Sequence, residues 1–488
     1  MKKFLVVILI TQCHCYLYGQ SSFSLLLESL KFENVSGGII EYAPSRFILS
    51  TIQRTNQDTK YWEKIFKFNS YGDSLQSLII NKDTSCFFND MYQISSNNII
   101  CVGGHLNKNS PASIWIACID TSLNLIWEKS IESTALKVQN ARMTLFDGST
   151  LVAVFTLKLS NAFDFCQYIV KIDYNGNIIQ SSIFGPNHGV IFDILKLGYD
   201  SKLLLPAMGF GEINSTGQII VLDSSLNQVY IDSIPGNVSN CCSVKSLNDS
   251  VYFLAGNKSY PFNEESYNIA FMKMNFPNIV SGSHTVGRIA DTVDFGGSFK
   301  SMDFSDPSNI YVAGTSNLSV SGGYYAYQPS WYLISRFDSA LNIYWTKYYG
   351  GDAYYVLATV TATSDGGAIV AGSRFDYLNH PENQLDVYVL KVDSTGLYVN
   401  VDEEKPIPIH DAIVYPNPGS DYLIVQSGPQ VSGAVFRMYD MQGRQVMEER
   451  LTSTLLHLSA GNLSAGTYPW QIIFNNKTIE NGKWVKDK

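Results

Sequence analysis

The sequence predicts an all-β protein, a seven-bladed β-propeller followed by a small Ig-like β-sandwich. Three observations predict it. A strand, loop, strand, tight turn, strand pattern recurs along the first 400 residues, the recurrences fall at near-constant spacing, and the composition shifts after Asp393.

The clearest copy runs Ile310-Tyr-Val-Ala-Gly-Thr315, Trp331-Tyr-Leu-Ile-Ser-Arg-Phe-Asp338 and Leu341-Asn-Ile-Tyr-Trp-Thr-Lys347. Short β-branched and aromatic runs bounded by Gly, Asp and Asn read as strands. The pattern returns at 365–396 and 98–129, weaker copies cover 151–173, 203–223 and 251–275, and a first copy covers 47–69. The polar residue ending the second strand of each copy is Asn69, Asp120, Asp173, Asp223, Asn275, Asp338 or Asp393, with differences of 51, 53, 50, 52, 63 and 55. A period near 50 residues with several strands per unit marks a propeller, since one such sheet cannot bury both faces alone. A fourth strand precedes each copy, as at 355–362 before Asp365-Gly-Gly367 and 138–146 before Asp147-Gly148, where Asp-Gly turns join hairpins.

In chain order, basic Met1-Lys2-Lys3, an apolar stretch at 4–10 and a small residue at Gly19 read as a secretory signal peptide over 1–19. Seven apolar residues fall short of the roughly 20 that a membrane-spanning helix needs. The propeller is expected over 20–400. Its polar work falls to Asn, Ser, Tyr and Gly, with charged residues at only 16%. Net charge is −9, from 34 Lys and Arg against 43 Asp and Glu. Without a basic cluster such a surface repels a phosphate backbone, so nucleic acid is not an expected partner.

Without the leader, Cys86, Cys101, Cys118, Cys166, Cys241 and Cys242 remain. Six thiols allow up to three disulfides in any of 15 pairings. None shows the Cys-x-x-Cys spacing of a zinc site. Cys101 and Cys118 occupy strand positions where small core residues are expected.

The recurring Asp residues raise a calcium reading, since Asp173-Tyr-Asn-Gly-Asn177 and Asp393-Ser-Thr-Gly396 resemble ligand loops superficially. Neither has the ordered acids and distal Glu of an EF-hand. Asp120, Asp223 and Asp338 each precede x-x-Leu-Asn, a spacing that suits an Asp capping its own turn, so turn chemistry is preferred and neither metal nor cofactor is expected. Trp62, Trp115, Trp127, Trp331 and Trp345 lie on repeat strands. Burying an indole removes roughly 150–250 Å² and contributes about 4–6 kcal/mol at most, so packing between blades accounts for them.

The tyrosines at 324–327, with Tyr348, Tyr349, Tyr354 and Tyr355, offer an aromatic platform for sugars or a packed rim. The longest spacing holds a Gly/Tyr/Ser-rich loop at 317–330, where a binding site on a rigid scaffold would lie. His105, His188, His284, His380, His410 and His457 form no HExxH pair, and neither a Gly-x-Ser-x-Gly elbow nor a phosphate-binding glycine loop is present. No catalytic residue is assigned. Paired carboxylates for glycoside hydrolysis would have to converge from different blades.

A charged, proline-bearing linker is expected over 401–411, and a second domain over 412–488. Pro416 and Pro418 fix a turn, Gln442-Gly443 joins a hairpin, and Gly466 lets the chain re-enter a strand. In that domain Val414-Tyr-Pro-Asn-Pro418, Tyr422-Leu-Ile-Val425, Phe436-Arg-Met-Tyr-Asp-Met-Gln-Gly-Arg444, Leu463-Ser-Ala-Gly-Thr-Tyr468 and Gly482-Lys-Trp-Val-Lys486 follow in fixed order. This order resembles the type A C-terminal sorting domain of type IX secretion. Pro469 departs from the family pattern and, lacking an N–H, places its strand at an edge or a bend.

The resemblance implies export to the periplasm, passage of the outer membrane, then removal of the sorting domain with surface anchoring or release. It implies the secretion machinery as partner, with Gly466, Tyr468, Lys483 and Lys486 as the matching sorting-signal residues. For the propeller, a noncatalytic surface or secreted module that binds an extracellular glycan or protein ligand, or mediates adhesion, is favoured by the absence of catalytic motifs. The alternative is a polysaccharide-active enzyme with its site in the propeller channel.

Overall fold

A computed structural model of the chain describes residues 22–27, 32–54, 61–80, 85–106, 111–160, 164–185, 189–198, 201–208, 217–260, 263–287, 293–379, 384–398, 413–427, 433–453, 455–474 and 477–487. The expected signal peptide and linker lie outside these residues. So do His188, His380, His410 and the side chains of Cys241 and Cys242. The chain divides into two compact units, Met1–Val399 and Asn400–Lys488.

The first unit holds seven antiparallel sheets in sequence order. Blade 1 runs Phe32–Ala43, Arg46–Arg54, Trp62–Phe68 and Ser74–Ile80, inner strand first. Blades 2 to 5 repeat this plan from the inner strands Ser85–Gln93, Lys137–Asp147, Leu195–Leu197 and Val238–Ser246. Blade 6 splits its inner position between Asp294–Gly296 and Met302–Asp303, both paired with Ile310–Ser316. Blade 7 starts with Tyr354–Ala362. Each inner strand packs on its neighbours, and Phe32–Ala43 packs on Tyr354–Ala362 and Ala368–Phe375, closing the ring.

Closure uses a strand the repeat pattern did not mark. Phe23–Leu27 is the outermost strand of blade 7, pairing Phe23 with Lys391 and Leu27 with Val387. Its Phe23 ring lies 6.2 Å from Phe47 and 6.0 Å from Phe68, both in blade 1. One short segment therefore completes the last sheet and fills the seam with the first.

Burial follows the architecture. The second strand of blade 3, Thr150–Lys158, is buried at every position except the last, because neighbouring blades cover both faces. Outer strands such as Leu125–Glu132 are mostly exposed, one face being left to solvent. The turns before the outer strands are set by Asp. In blade 3, Asp173 Oδ1 accepts the Asn175 and Asn177 N–H groups at 2.9 and 2.8 Å, and Oδ2 accepts the Asn177 side-chain amide at 2.8 Å. Asp120, Asp223 and Asp338 repeat this arrangement with Asn124, Asn227 and Asn342.

Side chains of one blade stitch to the turn of the next. Lys129 donates to Gly176 O at 2.6 Å, Lys273 to Ser339 O at 2.9 Å and Lys347 to Thr395 O at 2.8 Å. Trp345 Nε1 donates to Ser394 O at 2.9 Å, and Trp127 lies so close over Gly176, at φ +80°, that a Cβ there would meet its ring at 2.8 Å. Cys101 and Cys118 are buried free thiols, Cys166 is a half-buried one, and the buried Cys86 Sγ donates to Ile80 O at 3.5 Å.

The second unit is a two-sheet sandwich. Ile413–Tyr415, Tyr422–Gln426 and Leu455–Ser459 form one sheet, and Gln445–Arg450, Val435–Tyr439, Gly466–Phe474 and Lys477–Lys486 form the other. Leu423, Val425, Phe436, Met438, Trp470 and Trp484 fill the space between. The strand holding Pro469 is internal to its sheet, which corrects the expected edge placement. Its ladder with Val435–Tyr439 ends at Trp470, so Pro469 lies one residue beyond the last pair on that side.

Candidate functional site

The inner strands run in a common direction around the axis, so their starts meet at one end of the channel and their ends at the other. The start end holds a cavity of about 430 Å³ with Phe32, Tyr61, Phe87 and Tyr324 in its wall. The opposite end holds one of about 590 Å³ with Asp90, Arg142, Asp193, Lys245 and Lys300 in its wall. Asn89 and Phe299 line both cavities and mark the zone where the two adjoin, with Phe192 in the wall of the smaller one.

Arg142 fills that zone. Its Nε donates to Phe192 O at 2.7 Å, Nη1 to Asn89 O and Ala141 O at 2.8 Å, and Nη2 to Phe299 O at 3.3 Å. The guanidinium also lies 5.4 Å from the Phe299 ring centre. One buried side chain thus ties blades 2, 3, 4 and 6 together through carbonyl oxygens.

Carboxylates converge here, as an enzyme in the channel would require. Burial pushes the Asp193 carboxyl up to about 6, and burial likewise raises Asp90 despite the Arg142 charge and the Met143 N–H. Their oxygens are nevertheless engaged as staples between blades. Asp90 accepts the Met91 and Met143 N–H groups at 2.9 Å, and Asp193 accepts those of Ile194 and Val244 at 2.8 Å. Asp303 accepts Ala362 N–H at 3.1 Å and pairs with Lys245 at 2.7 Å and Lys300 at 3.1 Å. Burial pushes Asp303 upward, but the two lysines outweigh it and hold its carboxyl below the usual range.

The described histidines take no part in the channel. His105 packs 4.8 Å from Trp115, His284 packs 5.2 Å from Phe337, and His457 pairs with Ile424 in the second unit. A further carboxyl, Glu63, is sealed in the seam between blades 1 and 2. It accepts bonds from the Ser50 hydroxyl, the Ser36 hydroxyl at 3.2 Å and Phe88 N–H at 3.0 Å, and burial pushes it up to about 8.

The 317–330 loop reaches the start-end mouth. Its neck is closed by Asn317 Nδ2 donating to Pro329 O at 2.7 Å and Gln328 Nε2 donating to Asn317 O at 2.8 Å. Ser319 N–H donates to the Tyr354 hydroxyl at 3.0 Å. Tyr324, 36% exposed, lines the 430 Å³ cavity and a neighbouring one of about 340 Å³. Its neighbours are packing residues: Tyr325 and Tyr327 meet Phe375 at 5.3 and 5.5 Å, and Tyr354 and Tyr355 are buried. The sequence reading did not pick out Asp90, Arg142, Asp193, Lys245 or Lys300. Their signal was there, one charged residue per blade at nearly the repeat spacing.

In the second unit the four residues expected as sorting signal share one hairpin, where Gly466 pairs with Lys486, Tyr468 with Trp484 and Pro469 with Lys483. Two of them are built inward: Lys486 Nζ donates to Ala460 O at 2.7 Å, and the Tyr468 hydroxyl donates to Ser464 O at 2.7 Å. Gly466 and Lys483 are exposed.

Residues 413–487 match the family described as secretion system C-terminal sorting domain. No curated protein matches the chain. Among solved structures, the chain is similar to Pyrococcus horikoshii acylaminoacyl peptidase at 11% identity and TM-score 0.42, over 81% of this chain and 58% of that one. It therefore spans little more than half of the peptidase. The β-propeller domain of the trilobed protease from Pyrococcus furiosus aligns at 11% identity and TM-score 0.39, over 73% and 92% of the two chains. Drosophila Semaphorin 2a aligns at 7% and 0.45, over 96% and 98%. At such identities and scores the propeller rests on this chain's own strand order and ring closure. The C-terminal unit of this protein is a type IX secretion C-terminal sorting domain, which implies export out of the cell and interaction with that secretion machinery.

Proposed function

We propose that the propeller is an extracellular, noncatalytic module that binds a glycan at the start-end mouth of its channel. The observation that carries this reading is the self-closed 317–330 loop, which holds Tyr324 over a cavity walled by Phe32, Tyr61 and Phe87. Flat apolar rings beside amides such as Asn34 and Asn89 suit the faces and hydroxyls of a sugar. The route proposed with it is removal of 1–19, folding in the periplasm, and passage of the outer membrane under the sorting domain, with surface attachment or release afterwards. Gly466, Tyr468, Lys483 and Lys486 are proposed as the recognised hairpin. Tyr468 and Lys486 act through its shape, while Gly466 and Lys483 meet the machinery.

A second reading, a polysaccharide-active enzyme, is favoured by the raised pKa of Asp90 and Asp193. Their engagement by backbone N–H groups weighs against it. The test is a glycan array and a polysaccharide-degradation screen on the full chain. Binding without product, lost by about tenfold or more in Tyr324→Ala, is the expected result, on the scale of one base- or sugar-stacking ring. Product release would replace this reading with the enzyme. Removing 412–488 should leave the propeller inside the cell envelope, and wild-type amounts outside would end the sorting assignment.

A further inference from the structure

The 590 Å³ cavity at the far end of the channel differs in chemistry from the aromatic mouth. Its charged lining comes from blades 2 to 6, one or two side chains from each, with Asp147 and Lys196 beside the five already named, and the groups divide by what already holds them. Arg142 is buried and its N–H groups are spent on four carbonyls. Asp90 and Asp193 are spent on backbone N–H groups of the following blades. Lys245 and Lys300 are different: both pair with Asp303, Lys245 donating also to Phe304 O and Lys300 lying within the field of Asp193 and Asp90. The Asp303 carboxylate is 7% exposed, whereas the lysine side chains keep 40% and 38% of their surface open. With Arg142 the two lysines balance Asp90, Asp193 and Asp303, but the oxygens of those carboxylates are turned to backbone N–H groups or to the lysines themselves, so the charge left open to the cavity is ammonium.

Space for a ligand is set by blade 1. Counted from the start of the second strand of each blade, Gly38, Asp90 and Arg142 hold the same place, opposite Ser50, Val102 and Val154. Where blades 2 and 3 put a charged side chain, blade 1 puts none. A Cβ on Gly38 would meet only Thr359 Oγ1, at 3.5 Å. The volume is within the range of small-molecule sites, roughly 300–1,000 Å³.

We propose that this cavity binds the oxyanion of a small solute, a carboxylate or sulfate group carried on a sugar-sized body, with Lys245 and Lys300 as its charged contacts. An ammonium supplies a compact charge and three donors, so Lys245, already bonded to Asp303 and Phe304 O, keeps one for a ligand oxygen. The site is separate from the glycan-binding mouth, beyond the Arg142 and Phe299 constriction.

The test is isothermal titration of the full chain with sodium glucuronate, glucose 6-sulfate and glucose. At least one anion should bind about tenfold or more tightly than glucose, and its affinity should fall as salt rises. Whichever anion binds identifies the group. Lys245→Gln should weaken that binding about tenfold with the thermal midpoint held, and Lys300→Gln should act likewise. Should Lys300→Gln lower the midpoint, Lys245→Gln decides alone. Equal affinity for glucose and both anions, no binding of either anion, or undiminished affinity in Lys245→Gln would overturn the proposal. The glycan-array signal is read separately, so either site can fail without the other.

Discussion

Aspartates line both the channel and the outer turns of the propeller, and in both places they accept backbone N–H groups, yet their acidities move in opposite directions. Asp173 and Asp338, held chiefly by the amides of Asn177 and Asn342, lie below the usual carboxylate range. Asp193 and Asp90 accept bonds of similar length and lie above it, because burial dominates. Hydrogen bonds to the charged form favour it at both sites, and the greater loss of water in the channel reverses the sign there. The turns use Asp as a cap that solvent supports. The channel and seams use it as a staple, at an electrostatic cost that holds the ring in one register.

The largest test of this contrast is Arg142→Ala. It strips four carbonyl oxygens of their donor inside the channel and should destabilise the propeller by roughly 3–5 kcal/mol in chemical denaturation. A loss below about 1 kcal/mol would mean that the blades hold together without the crossing side chain.

Next comes Glu63, the carboxyl sealed in the seam between blades 1 and 2. Folded, it keeps its proton up to about pH 8, whereas its ordinary value is 4.5. The folded state therefore binds more protons between these values, and stability falls as pH rises from 4.5 through about 8. The span corresponds to something on the order of 5 kcal/mol. Glu63→Gln should flatten that slope while keeping the Ser50 contact, and an unchanged slope in the variant would assign the pH dependence to other groups. The smallest effect belongs to the rim. Asp173→Ala should cost under about 1 kcal/mol, since the cap is exposed. Its contribution has the opposite sense, present above the ordinary carboxylate value and lost as pH falls through the lowered one.

The blade repeat was legible because capping Asp and Asn residues recur at the same place in six of the seven copies, all but that of Asn275, and their turn needs no distant partner. The C-terminal domain was legible because Tyr-Pro-Asn-Pro, the Asp440 turn and the terminal Lys-Trp-Val-Lys lie in order along one stretch. Residues 23–27 were not, because their partners are 387–391 and nothing local reports so distant a pairing. The broken inner strand of blade 6 was also hidden, being only three and two residues in its two parts. For the channel the difficulty was of another kind. Each charge is ordinary within its own blade, and only the closed ring puts Asp90, Arg142, Asp193, Lys245 and Lys300 around a common space.

The pairing of 23–27 with 387–391 also makes the ring a test of completeness. A chain emerging from its N-terminus presents one half of the clasp almost at once and the other half only when the seventh blade is finished. Any product truncated before the strand Asp386–Val392 leaves the Phe23 ring without its sheet and blade 1 with an open flank. The clasp thus converts a missing tail of sequence into exposed apolar surface, a form that proteases and chaperones read directly.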